Sequence, residues 1–109
     1  MTEPIDQINL AASIDVNSDA IVSKTLRKSA QLNLTLFAFD TGQSLSSHAS
    51  PMDAYVHVLE GELRIEIGSQ SHTLVKGELI QMPANVPHAL EALAPTKMLL
   101  SMVQPDSQG

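Results

Sequence analysis

The sequence predicts an all-β domain, a sandwich or barrel of about nine short strands. Three observations carry this. Segments rich in apolar and β-branched residues recur at close spacing, with Gly, Pro, Asp and Ser between them. The segment "LRIEI" alternates cleanly, with Leu63, Ile65 and Ile67 on one face and Glu62, Arg64 and Glu66 on the other, which is the period of a half-buried strand. Apart from one helical turn compatible with "DQINLAASI", nothing sustains a period of 3.6 residues.

In chain order, "AIVSKTL" and "LNLTLFAFD" form the first two strands, separated by "RKSAQ" and closed by the turn signal "DTG". A serine-rich loop leads to His48. "AYVHVL" and "LRIEI" flank a tight turn at "EGE", "GSQS" turns into "HTLV", and "KG" into "ELIQM". "PANVP" is a rigid loop, and "HALEAL" and "KMLLSMV" complete the set. The second strand carries bulk on both faces: Leu32, Leu34 and Leu36 on one, Phe37 and Phe39 on the other. Such a strand needs cover outside the barrel, from the N-terminal segment or from a second copy of the chain, and we expect a homodimer.

Composition narrows the function. With 43% hydrophobic and 17% charged residues in 109, the chain suits one compact domain. The net charge is -6 and the six Lys and Arg are scattered, so no basic stripe exists to neutralise phosphates and we expect no nucleic-acid partner. There are no cysteines, which excludes disulfides, thiolate catalysis and sulfur-ligated iron or zinc centres and fits a cytoplasmic protein. No stretch approaches the roughly 18 apolar residues of a membrane helix, and "MTEPIDQINL" lacks the pattern of a signal peptide. We expect no membrane partner.

Two motifs then resemble the cupin superfamily. The first, Gly, five residues, His-x-His, three or four residues, Glu, six residues, Gly, is matched by "GQSLSSHASPMDAYVHVLEG" with Gly42, His48 and Gly61. The second, Gly, five residues, Pro-x-Gly, two residues, His, is matched by "GELIQMPANVPH" with Gly77, Pro83 and His88, and Asn85 in place of the inner Gly. The resemblance implies a double-stranded β-helix, or jelly-roll barrel, over residues 20–103, with a lead-in segment (1–19) packing outside and a polar tail (104–109) that frays.

The same resemblance implies a metal on two histidines and a carboxylate of the first motif and the histidine of the second. Carried over, His48 and His88 remain, while Ser50 stands for the second His and Ala54 for the Glu. Two imidazoles are ligands for Zn, Ni, Mn or Fe, but catalytic centres usually hold three protein ligands and an open position. We therefore expect a divalent metal to be weakly held or absent. The implied pocket is lined by His48, Ser50, Ala54, Val56, Met82 and His88. If Ala54, Val56 and Val58 point inward, Asp53, Tyr55 and His57 line the other face of their strand. A bulge at Pro51 would reverse this and offer Asp53 or His57 as an additional ligand or acid–base group. On bland readings, Asp53 bonds nearby backbone amides, His57 points outward, His72 is a solvated hairpin residue, and Met82, Met98 and Met102 fill the core.

Fold does not carry function. We expect a small-molecule-binding cupin with a two-histidine site. The alternatives are a metal-dependent oxygenase or isomerase completing its site with Asp53, His57 or exogenous ligands, and a scaffold whose surface does the work.

Overall fold

The computed structural model describes residues 7–105. A turn of 3-10 helix (Ala11–Ser13) precedes nine strands: β1 (Ile21–Lys28), β2 (Leu32–Phe39), β3 (Ser44–His48), β4 (Asp53–Glu60), β5 (Glu62–Ile67), β6 (Gln70–Val75), β7 (Leu79–Met82), β8 (His88–Ala92) and β9 (Thr96–Val103). They form a five-stranded sheet, β1-β2-β9-β4-β7, and a four-stranded sheet, β3-β8-β5-β6. Every neighbouring pair is antiparallel. This is the expected jelly-roll barrel. Among the described residues no helix is long and apolar enough to cross a membrane.

Alternation in the sequence becomes a core because successive side chains of a strand take opposite faces. Ala54, Val56 and Val58 of β4, Leu63 and Ile65 of β5, and Leu90 and Ala92 of β8 are buried between the sheets with Phe39 and Met98. The parity expected for β4 is the one observed. Ser44–His48, where the sequence predicts a serine-rich loop, is strand β3. Four of its five residues are exposed, so it carries no apolar period, and its pairing with β8 holds it in place. His72, expected in a hairpin, is instead a half-buried residue of β6 opposite Ile65.

The outer face of the large sheet is covered at one end by the N-terminal segment. Leu10, Ile14 and Val16 pack on Leu36, Ala38 and Leu99, and Lys97 Nζ donates to the Ala11 carbonyl at 2.6 Å. The N-terminal segment thus supplies the cover that Leu36 needs. Residues 1–6 and the tail from 106 lie outside the described residues. Before them, the Gln104 backbone N–H donates to the Gln31 carbonyl at 2.9 Å.

Gly61 alone joins β4 to β5, with φ +95°. A Cβ there would press on the Pro95 carbonyl and lie 2.7 Å from Thr96 Cα. Thr96, itself fully buried, ties the turn down: its Oγ1 accepts from the Glu62 N–H at 3.2 Å and lies 3.0 Å from the Glu62 carbonyl. Gly61→Ala therefore meets both a left-handed backbone and a backbone collision. We expect it to cost at least about 2 kcal/mol, read as a lowered midpoint in urea denaturation; an unchanged midpoint would contradict the tight turn.

Candidate functional site

The site begins with a strand register. Across β3 and β8, Ser44 pairs with Glu91, Leu45 with Leu90, and then His48 with His88. Three steps along β3 match two along β8, so β3 holds one extra residue, a β-bulge. Without it, Leu45 and His48, three apart, would face opposite sides. The bulge turns both toward the interior, and the rings of His48 and His88 meet edge to face with centroids 4.5 Å apart. The sequence offered a bulge at Pro51; the structure places one earlier, in β3.

His88 is held by the loop before it. Asn85, at the family's inner glycine, adopts φ +67°, a left-handed conformation that Asn tolerates better than most residues. Its N–H donates to the Ser50 carbonyl at 2.7 Å, and the Ala84 N–H donates to Asp53 Oδ1 at 2.8 Å. The loops before β4 and β8 are thereby tied together at the open end of the barrel.

Both imidazoles are oriented by carbonyls. His48 Nδ1 lies 2.9 Å from the Ser46 carbonyl and His88 Nδ1 3.3 Å from that of Val86. A carbonyl only accepts, so each Nδ1 donates, and in the neutral ring it is Nε2 that offers a lone pair. His48 is exposed, whereas His88 is 6% exposed. Burial, and then the neighbouring charge of His48, lower the His88 pKa below the ordinary value, against the raising effect of the Val86 carbonyl.

Beneath the rings lies an apolar cavity of about 50 Å³. Five of the six expected lining residues surround it: His48, Ser50, Ala54, Met82 and His88. Val56 does not, being wholly buried in the core. Leu45, Leu90, Met98, Leu100 and Met102 complete the wall; Met102 could have been found by pairing β9 with β4, since it lies opposite Ala54. A drug-sized ligand site is roughly 300–1,000 Å³, so this cavity admits a few waters or a guest of a few heavy atoms. A wider hollow of about 290 Å³, bordered by Ser46, Arg64, Glu66 and Glu91, is an open depression on the outer face of the small sheet, bridged by the Arg64–Glu91 ion pair.

Neither auxiliary ligand reaches the imidazoles. Asp53 is engaged by the Ala84 amide, and His57 is paired with Leu99 and Leu79, on the face where Leu99 packs under the N-terminal segment. Among the described residues no three His, Cys, Asp or Glu side chains gather as a metal-holding group. The donors present do not fit a catalytic divalent centre, which wants a third protein ligand, and no carboxylate lines the cavity.

Comparison with known proteins bears on the whole chain. The family described as "Cupin domain" matches residues 35–103. The fold is similar to that of a conserved protein of unknown function from Streptococcus pyogenes, at 35% identity over 96% of this chain and 92% of that one, with TM-score 0.88. It is also similar to a cupin superfamily protein from Desulfitobacterium hafniense, at 26% identity, covering 95% of each chain, TM-score 0.86. A cupin 2 conserved barrel domain protein from Leptotrichia buccalis is 40% identical over 88% of this chain, which spans 47% of that one, TM-score 0.85. No curated protein matches.

The lowered pKa of His88 makes stability depend on pH. The unfolded chain takes up this proton more readily than the folded one, so folding is favoured most above about pH 6.5 and weakens as pH falls below it. In metal-free protein, we expect acidification from pH 8 to 5 to lower the urea midpoint more in the parent than in His88→Gln; equal slopes would mean that His88 ionises as freely folded as unfolded.

Proposed function

The chain belongs to the cupin family, and on that footing we propose that it is a binding cupin rather than a catalytic one. Its guest has few heavy atoms, is weakly polar, and turns an electron-accepting or hydrogen-donating end toward the Nε2 atoms of His48 and His88. The observation that carries this reading is the imidazole pair at a ring separation of 4.5 Å over an apolar wall. Both Nδ1 atoms are occupied by carbonyls, so the lone pairs of Nε2 are what the pair offers. A metal-dependent oxygenase or isomerase gains no support, because Asp53 and His57 are engaged elsewhere.

A thermal-shift screen of small, weakly polar molecules tests the reading. We expect at least one stabilising hit whose apparent affinity falls about tenfold in His88→Ala and in the more exposed His48→Ala, since a guest bound only by the folded state raises the melting temperature with its occupancy. No hit, with both variants as stable as the parent, favours the scaffold instead.

We also propose a homodimer formed on the part of the large sheet's outer face that the described residues of the N-terminal segment, from 7 on, do not cover. Leu79 of edge strand β7 is 62% exposed there, on the same face as half-buried Tyr55 and Leu34. Sedimentation is expected to report a species of twice the 11.7 kDa chain mass; a monomer at micromolar concentration overturns this.

A further inference from the structure

The departure from a divalent centre has its own chemical logic. Where the resemblance implies a carboxylate, the structure has Ala54, and on each side of Ala54 stands a methionine. Met82 pairs with it across β7 and Met102 across β9. Side chains directly opposite one another in adjacent strands take the same face, so the two thioethers flank the missing carboxylate on the inner face of the large sheet. Facing them, on the small sheet, are His48 and His88, and all four side chains line one cavity. We propose that this cavity is a site for a soft monovalent metal ion, copper(I), held by the two imidazoles and by thioether sulfur from Met82 and Met102.

Charge and softness lead to the same ion. Among the described residues the lining contains no anionic group, and the cost of moving an ion out of water rises with the square of its charge. A divalent ion thus loses about four times what a monovalent ion of equal size loses, with no carboxylate to compensate. Zinc, manganese and iron(II) are poorly served by such a wall. Copper(I) prefers soft thioether ligands, accepts imidazole and needs no water of its own. The cavity of about 50 Å³ has room for a single ion, and exposed His48 stands at the mouth as the first ligand an incoming ion meets. Met82, 2% exposed, keeps its sulfur from solvent.

The inference rests on the reading that the imidazole pair is a binding site, and puts a copper(I) ion, which also uses the thioethers of the wall, in place of the weakly polar molecule. The test is an anaerobic titration of the full chain with copper(I) against the chromophoric chelator bicinchoninate, with silver(I) as a redox-inert check and zinc(II) as comparator. The key variant is Met82→Leu/Met102→Leu, which conserves volume and leaves the fold intact. We expect one copper(I) per chain, a loss of at least about tenfold in affinity in the double variant, and a parallel loss for silver(I). Ala54→Glu, by restoring a carboxylate, is expected to strengthen zinc(II) binding. Failure of the parent to compete with bicinchoninate overturns the proposal. So does copper(I) binding unchanged in the double variant; if His48→Ala and His88→Ala abolish it there, the imidazole site survives and only the thioether role falls. Copper(I) binding untouched by all of these variants puts the ion elsewhere on the chain and overturns the proposal, while the reading of the imidazole pair is decided by the thermal-shift screen.

Discussion

The register between β3 and β8 is the constraint on which the site depends. A strand repeats its facing every second residue, so a slip of one position turns every side chain over. Here the slip is built in: one extra residue between Leu45 and His48 keeps Leu45 in the wall and brings His48 inward beside His88. Removing that residue would leave the core side of β3 intact at Leu45 and send the imidazole to solvent. On the other strand, His88 is fixed by the Pro83–Pro87 loop, which Asn85 bends through a left-handed residue and which is anchored to the Ser50 carbonyl and the Asp53 carboxylate. Two backbone irregularities, one in β3 and one in the loop before β8, therefore set one pair of rings.

The electrostatics follow from what is missing between the sheets. The chain carries -6 overall, yet among the described residues the cavity's polar donors are imidazole, hydroxyl and thioether, with no carboxylate. Two acidic residues that flank His48 in sequence are spent on structure. Asp53 accepts a backbone amide, and Asp40 accepts from the Asp19 and Thr41 amides, bonds that hold its carboxyl below the usual carboxylate range. A cavity of this kind disfavours divalent charge and favours polarisability.

How much of this was legible varies with the physical signal. β4, β5 and β8 announce themselves because each has one buried face, and the parity that sends Asp53 and His57 outward follows from the same alternation. β3 has almost no buried face and hence no period to read. Its bulge exists only in the pairing of two strands forty residues apart in the chain, which no local pattern records. Val56 shows another limit: parity tells which face a residue takes but not its depth along the barrel, and Val56 is core, not wall. Met82 and Met102 are far apart in sequence and become neighbours of Ala54 only through the order β7-β4-β9. As isolated residues they read as filling; as flanks of a vacated carboxylate position they read as donors.

The two ends of the barrel divide stability from recognition. At one end, Gly61, Thr96 and Phe39 close the roll, with Thr96 wholly buried and bonded to the β4–β5 turn. At the other, His48, Ser50, Ala54 and His88 open on the cavity. β8 spans the distance, from His88 paired with Ile67 to Ala92 paired with Leu63, a run of about 13 Å at strand rise. Changes at the open end alter donors without touching the turn that fixes the fold. Serine and alanine can therefore occupy positions where the resemblance implies ligands while the strand registers persist. The same separation means that a carboxylate at position 54 changes the charge of the cavity but not the closed end, so the cavity's chemistry is set locally by a few side chains far from the turn at Gly61.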